Sequence, residues 1–258
     1  MDSYVYLVAY YGFYRIIINM AVKFDEASHR YYDDKHGEFI SVTTVLGKYK
    51  KPFDSALHAS RVAKREGVSP EMVLEMWNIE KNKACDKGTK IHKLLEDYIT
   101  VGETQDDYGW LYKSYDKGVE YNIDKFKKVH CERLLHNTDS MVAGTADLIF
   151  EHSNNEFTVG DFKTNKKFRF CSPFGERLLE PIEHLHNCEF NVYALQLSMY
   201  AYLYELSSGK KCRKLAIFYL QGDRFVTHHC NYLKSDVKNI LKHLSIRLNS
   251  QNENSKVT

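Results

Sequence analysis

The sequence predicts an α/β fold, in which a central mixed β-sheet is flanked by helices on both faces. Apolar, strand-like segments alternate along the 258-residue chain with segments whose apolar residues recur at helical spacing. The chain is also long enough to bury a full core in one domain. Its 43% hydrophobic and 27% charged residues are ordinary for a globular protein.

Local patterns place the elements in order. A β-hairpin is predicted over 24–42, and Thr43 or Thr44 is expected to cap the short helix that follows. Asp54 and Ser69 each precede a helical pattern, and a short polar side chain at that position caps free backbone N–H groups. The remaining helices are expected over 43–49, 86–99, 108–129, 190–206 and 235–248, and the strands over 130–136, 141–151, 157–163, 215–221 and 224–230.

The ends of the chain differ from the predicted domain at 20–250. Residues 1–19 are apolar but are interrupted by Gly12 and Arg15, and they lack the basic start of a signal peptide. We interpret them as an N-terminal extension, with a membrane anchor as the less favoured alternative. Residues 249–258 are polar, and 251–258 are assigned as a tail expected to be disordered.

Two acid-bearing strands are the most informative feature of the chain. The predicted strand 141–151 carries Asp147, and the strand 157–163 carries Asp161 and Lys163. Positions i and i+2 of a strand face the same side, so Asp161 and Lys163 project together. A carboxylate among apolar neighbours is costly unless it is paired or bound to a metal. The pattern therefore indicates a metal-dependent phosphodiesterase.

Two helices add polar pairs at a spacing of four residues, which places each pair on one helix face. The pairs are His92 with Glu96, and Gln196 with Tyr200. Taken alone, each pair is better explained as a hydrogen-bonded boundary pair or as incidental polar residues of a buried helix. Together with the acids on the strands, they favour a common site.

The order of four motifs resembles the RecB-like branch of the PD-(D/E)XK nuclease superfamily, and most of all its compact phage and mitochondrial genome-maintenance exonucleases. The motifs are GTKIH at 88–92, AGTADLIF at 143–150, VGDFKT at 159–164 and QLSMY at 196–200. The resemblance extends from about residue 24 to 204, with Ala146 in place of the proline in the superfamily name. It implies a restriction-endonuclease-like core with an N-terminal hairpin and helical additions.

The resemblance also implies roles for individual residues. Lys163 would be the catalytic lysine, and Gln196 and Tyr200 would orient that lysine or the DNA backbone. His92, Asp147 and Asp161 would bind metal, with Asp147 bridging metal ions and the carbonyl of Phe162 as a further ligand. Glu96 would shape or charge the catalytic site.

Carboxylate ligands favour Mg²⁺ or Mn²⁺, and the imidazole of His92 shifts the preference toward Mn²⁺. The spacing of the six cysteines matches neither a zinc ribbon nor the iron–sulfur cluster of some family members, so no cluster is expected. The chain contains no Walker sequence, and no ATP requirement is expected.

Local basic segments are the candidates for DNA contact, because the net charge of the chain is only +2. The residues directly after the predicted strand 157–163 are expected to contact the DNA backbone; they are Thr164, Lys166, Lys167 and Arg169. A second cluster lies at 48–51, where a solvated face explains the lysines equally well.

These observations predict a DNA exonuclease that acts on ends or single strands in replication, recombination or repair. DNA is the expected partner, with a single-strand-binding or recombination protein as a further one and no membrane. The expected location is the cytoplasm, or the host cytoplasm for a phage-encoded protein. Three alternatives stay open: a structure- or flap-specific endonuclease on the same site, a non-catalytic DNA-binding module, and an α/β protein with an unrelated function.

Overall fold

The computed structural model describes residues 22–25, 28–119, 123 and 125–254, and the side chains through Ser245. The predicted N-terminal extension at 1–19 lies outside the described residues, as do the last four residues of the predicted tail. Within the described ranges, no helix is long and apolar enough to span a membrane.

The described strands form one eight-stranded mixed sheet with the order β1-β2-β3-β5-β6-β7-β8, and β4 pairs with β5 outside this path. The pairs β3–β5 and β6–β7 are parallel, and the others are antiparallel. The strands are β1 (Lys23–Asp25), β2 (Arg30–Asp33), β3 (Gly37–Ser41), β4 (Lys128–Asn137), β5 (Val142–Glu151), β6 (Glu156–Lys163), β7 (Lys211–Gln221) and β8 (Arg224–Cys230).

Helices cover both faces of this sheet, which confirms the predicted α/β fold. The helices are α1 (Val42–Gly47), α2 (Ser55–Glu66), α3 (Pro70–Val101), α4 (Gly109–Gly118), α5 (Glu189–Ser208) and α6 (Lys234–Asn254). Each face has its own apolar core. On β5, Ile149 belongs to the core under α1, α5 and α6, whereas its neighbour Phe150 belongs to the core under α3 and α4. Successive residues of a strand point to opposite faces, so one strand supplies both cores.

Two of the three N-cap residues predicted from the sequence are confirmed. Asp54 caps α2 and Ser69 caps α3, each by accepting a backbone N–H within the first turn. The predicted cap of α1 was wrong, since Ser41 rather than Thr43 or Thr44 occupies the N-cap position. Ser41 has an extended backbone and accepts the N–H of Thr44 at 3.1 Å.

Three predicted helix boundaries were also wrong. The segments after Ser69 and at 86–99 form one helix of 32 residues, α3, whose middle part at 78–87 is exposed on all sides and so shows no apolar stripe. The helix expected over 108–129 ends at Gly118, where an added Cβ would lie 2.7 Å from the carbonyl oxygen of Phe225 on β8. Finally, α6 continues to Asn254, so the polar tail does not begin at residue 249.

The edge of β5 that faces β3 and β6 contains a gap in strand pairing. β3 pairs with β5 at Val142 and Ala143, and β6 pairs with it from Leu148 onward. Because β4 pairs along the other edge, residues 144–147 have no ladder partner on the first edge. This gap gives side chains from α3 and β6 access to the middle of the sheet.

Candidate metal centre

Asp147 lies at the gap in the pairing of β5. Its Oδ2 accepts the backbone N–H of Phe162 at 2.8 Å, so the side chain takes the place that a ladder partner would occupy. Its side chain is 13% exposed. The carboxylate is therefore fixed in direction, with one oxygen already hydrogen-bonded.

His92, Glu132 and Asp147 each offer one ligand atom, and these three atoms lie within 4.8 Å of one another. His92 comes from α3; its Nδ1 is 3.5 Å from Asp147 Oδ2, and its Nε2 is 3.1 Å from the carbonyl oxygen of Phe162. One imidazole and two carboxylates form a ligand set that suits Mn²⁺ and Mg²⁺. The carbonyl oxygen of Phe162, expected as a further ligand, lies next to the candidate ligand His92.

Glu132 is the residue that the sequence reasoning missed. It lies on β4 between the pairs Cys131–Leu148 and Arg133–Ala146, a register that sets it opposite Asp147. Its φ of 46° falls in the left-handed region, which is uncommon for a glutamate. No local sequence pattern marks it, because Glu132 reaches the site only through the register of β4 against β5.

The surroundings of Glu132 are acidic. Partial burial of its carboxylate raises the pKa of Glu132 to about 8, although other parts of the residue are exposed to solvent. Repulsion by the negative charges of Asp147, Glu96 and Asp161 adds to this shift of the pKa. Crowding of this kind is unfavourable without a compensating cation, and it is common at functional sites.

Asp161 and Lys163 form a buried ion pair on β6, as their i, i+2 spacing requires. Asp161 is 1% exposed, and its Oδ2 contacts the ammonium of Lys163. Apart from this contact, neither carboxylate oxygen has a hydrogen-bond partner in the described part of the protein. Burial and the nearby Asp147 raise the pKa of Asp161.

Lys163 is held in its charged form. Burial lowers the pKa of Lys163, but the attraction of Asp161 and Asp147 outweighs this effect and raises it overall. The ammonium lies 4.7 Å from the centroid of the Tyr193 ring, a favourable cation–π distance. Tyr193 was not predicted as part of the site.

The other predicted helix residues border the same region. Glu96 is hydrogen-bonded by Lys93 at 3.1 Å and lies outside the group of three ligand atoms. Gln196 donates to the hydroxyl of Tyr200 at 3.1 Å, and Tyr200 is buried. An added Cβ at Gly144 would lie 2.8 Å from the Tyr200 ring, so this glycine permits the close approach of α5 to β5.

A cleft of about 840 Å³ opens over these groups, and His92, Glu96, Glu132 and Tyr200 line it. Gly88 on α3 also lines the cleft, and a Cβ there would lie 3.2 Å from Thr164 Oγ1. Thr164 therefore lies beside α3 at the end of β6. Two of the three candidate ligands, His92 and Glu132, are thus accessible from this cleft.

The predicted DNA-contacting cations differ in their surroundings. Lys166 forms an ion pair with Glu80 on α3. Arg169 donates two hydrogen bonds to the carboxylate of Glu189, at 2.9 and 2.7 Å. Lys167 is exposed and has no ion pair with any described residue. Two of the three cations that follow Lys163 are thus paired with acids of the protein.

Taken together, the fold and the site define an α/β protein with a candidate metal centre at the gap in its sheet. No family model matches the chain, and no curated protein matches its sequence.

Two solved structures are similar to the chain at low identity. The crystal structure of SSO0001 is 15% identical, with 81% of this chain and 75% of that chain covered and a TM-score of 0.36. The crystal structure of a "Putative exonuclease" from Eubacterium rectale is 11% identical, with 79% of this chain and 68% of that chain covered and a TM-score of 0.33. Similarity at this level carries no argument about function, which has to come from the site itself.

Proposed function

We propose that this protein is a divalent-metal-dependent DNA exonuclease that acts on ends or single strands. The observation that carries the proposal is the convergence of His92, Glu132 and Asp147, whose ligand atoms lie within 4.8 Å of one another, beside the buried pair of Asp161 and Lys163. Four elements bring these groups together, and α3, which supplies His92, is distant in sequence from the three consecutive strands β4, β5 and β6, so the register of neighbouring strands alone does not account for the cluster.

The residues present fit a divalent metal. Apart from its contact with the ammonium of Lys163, the buried carboxylate of Asp161 has no hydrogen-bond partner among the described residues, so it has lone pairs left for a further ligand. In the proposal, His92, Glu132 and Asp147 hold the ion, and Asp161 contributes from the side of Lys163. A bound Mg²⁺ or Mn²⁺ would supply an activated water and neutralise charge on the phosphate.

The protein's own residues would orient the reaction. Lys163, which is held by Asp161 and by the Tyr193 ring, would position the attacking water or stabilise the charge that develops on phosphorus. Removal of a preorganised charge of this kind lowers the rate by about a hundredfold or more. Gln196 and Tyr200, which are hydrogen-bonded to each other at the wall of the cleft, would help to orient Lys163 or the DNA backbone.

The motif order that resembles the RecB-like branch of the PD-(D/E)XK superfamily is consistent with this assignment. We include that branch in the proposal, together with a role in DNA replication, recombination or repair. The carboxylate and imidazole donors support Mg²⁺ or Mn²⁺ as the ion.

The test is digestion of end-labelled single-stranded, duplex and circular DNA with Mg²⁺, Mn²⁺ or EDTA. We expect linear DNA to be shortened only with metal, and Asp161→Ala and Lys163→Ala to reduce the rate about a hundredfold or more. Asp139→Ala, an exposed acid in the β4–β5 turn, is the matched control and should retain activity.

Two outcomes would change the assignment. Full activity in the double variant of Asp161 and Lys163 would exclude this site. Cleavage of circular DNA would instead support the endonuclease alternative on the same residues.

A further inference from the structure

A second cleft, of about 360 Å³, adjoins the candidate metal centre. Its lining includes Lys50, Phe53, Phe174 and Tyr193, and we call it the aromatic cleft. Tyr193 connects the two regions, because its ring lines the aromatic cleft and also lies 4.7 Å from the ammonium of Lys163. A molecule in the aromatic cleft would therefore lie close to the proposed catalytic lysine.

The aromatic cleft presents two rings to solvent. Phe53 is 66% exposed and Phe174 is 86% exposed, although large apolar side chains are normally buried. Phe53 is stacked on His58 with ring centroids 4.6 Å apart and planes 11° apart, and its centroid lies 6.3 Å from that of Trp77, so its position is fixed while most of the side chain stays exposed. Flat, exposed rings of this kind are suited to stacking with other planar groups.

Phe174 is exposed on an ordered turn. The Ser172 hydroxyl accepts the backbone N–H of Phe174 at 3.4 Å, and Gly175 reverses the chain with a φ of 68°. A neighbouring part of the same loop is tied to the core, since the N–H of Leu179 donates to the carbonyl of Tyr49 at 2.8 Å. The exposed ring thus projects from a fixed backbone.

The cleft also carries a lysine that no described residue holds in an ion pair. Lys50 is attracted by Glu189 at longer range, whereas Arg169 in the same lining is bound to Glu189 directly. An ammonium of this kind beside exposed rings is the combination that binds single-stranded nucleic acid, in which the cation attracts phosphates and the rings stack on bases. The lysine cluster at 48–51, left open by the sequence, gains a specific role here.

Resting on the proposed nuclease function, we propose that the aromatic cleft binds unpaired nucleobases of single-stranded DNA next to the scissile phosphate. Phe53 and Phe174 supply the stacking surfaces, and Lys50 contacts the backbone. Bases inside a duplex are stacked on one another and are not available to these rings. The substrate of this site is therefore a single strand.

The first test measures binding without hydrolysis. Fluorescence anisotropy in EDTA compares a labelled oligothymidylate with an abasic oligonucleotide of the same length and with a blunt duplex. We expect the oligothymidylate to bind more tightly than either. The Phe53→Ala/Phe174→Ala variant should lose roughly five- to 150-fold in affinity for it, as expected for the loss of one stacked base, and little for the abasic strand.

Further variants separate stacking from charge and from folding. Lys50→Met should weaken the thymidylate and abasic strands alike, because it removes a phosphate contact. Phe174→Trp should retain base-dependent binding, since a larger ring still stacks. Trp110→Ala, which removes a partly exposed ring on α4 outside the aromatic cleft, should leave binding unchanged.

The outcomes distinguish the two proposals. Metal-dependent cleavage together with wild-type affinity of the double Phe variant for the thymidylate strand would overturn the aromatic-cleft proposal and leave the nuclease proposal intact. Base-dependent binding without any metal-dependent cleavage would overturn the nuclease proposal and retain the cleft as a nucleobase site. Equal binding of thymidylate and abasic strands by the wild type would also overturn the cleft proposal.

Discussion

Replacement of Lys163 by methionine should destabilise the metal-free protein by about 3 kcal/mol at pH 7 but by only about 1 kcal/mol at pH 5. The substitution removes the ammonium and keeps most of the side-chain volume. Asp161, which is 1% exposed, then remains buried beside Asp147 without its cation. Loss of one partner of a buried ion pair costs about 3–5 kcal/mol in general.

Protonation of Asp161 limits this cost. Measured from its ordinary pKa of 3.8, a proton on Asp161 costs about 4.4 kcal/mol at pH 7 and about 1.6 kcal/mol at pH 5. The wild-type pair already bears part of the desolvation penalty, so the net losses are somewhat smaller. An acid whose pKa is raised by folding loses stability as the pH rises above its unfolded value, and the effect is therefore larger at pH 7.

The assay is urea unfolding followed by circular dichroism in EDTA at pH 5 and pH 7. Lys166→Met, an exposed lysine three residues further on, is the control and should change stability by less than about 0.5 kcal/mol. Adding Asp161→Asn to Lys163→Met should restore stability at pH 7, because a neutral amide needs no cation. Equal losses at the two pH values would refute the reasoning, since the carboxylate of Asp161 would then not be the source of the penalty.

Three further predictions concern other parts of the molecule. Glu132→Gln should weaken Mn²⁺ binding about ten- to a hundredfold in isothermal titration calorimetry, because it removes one anionic ligand of the proposed set. The pKa of Glu151 is lowered to about 2, since hydrogen bonds from neighbouring side chains outweigh its burial. Glu151→Gln should therefore reduce the free energy of unfolding by about 1–2 kcal/mol at pH 7, and this difference should vanish as the pH falls toward 2. Gly144→Ala should cost about 1–3 kcal/mol in thermal unfolding and reduce nuclease activity, because its Cβ would displace the ring of Tyr200.

For each of these three predictions, one result would contradict the physical reason given for it. Gly47→Ala is the control for Gly144→Ala and should leave the thermal stability nearly unchanged, because an added Cβ at Gly47 meets nothing within 4 Å. If the two variants lost the same stability, a tight contact between Gly144 and the Tyr200 ring would be contradicted. Unchanged Mn²⁺ affinity in Glu132→Gln would remove Glu132 from the proposed ligand set. A constant difference between Glu151→Gln and wild type from pH 7 to pH 2 would show that the Glu151 charge contributes nothing to stability.

The parts of the fold that the sequence predicted are those governed by local patterns. The strands that became β5 and β6 were recognisable because apolar runs end at polar turns, and the spacing of Asp161 and Lys163 fixed their common side. The starts of α2 and α3 followed from Asp54 and Ser69, whose side chains cap the first turn. Each of these features depends on contacts within a few residues.

The features that the sequence did not predict depend either on contacts between distant parts of the chain or, in the middle of α3, on a helix segment that is exposed to solvent. Glu132 joins the site only through the register of β4 against β5, which a strand pattern by itself does not specify. The middle of α3 is solvated on all sides, so helical periodicity was absent where the helix was continuous. The sequence also gave no sign that Glu80 and Glu189, far from the basic run after β6, would pair with Lys166 and Arg169.

In the proposed function, the acidic residues of the candidate metal centre serve catalysis, and substrate binding in the absence of metal depends on other residues. Asp147 and Asp161 both interact with the ammonium of Lys163, and Glu132 adds a third acid with a pKa of about 8, so the metal-free centre offers a phosphodiester no net positive charge. At about 4 Å, two like charges repel by about 1–4 kcal/mol in surroundings between bulk water and a protein surface. Substrate affinity without metal must therefore come from contacts other than attraction to this centre. The aromatic cleft meets that requirement, because the stacking of bases on its rings does not depend on a bound metal. Stacking is also insensitive to ionic strength, whereas salt screens the charge of Lys50.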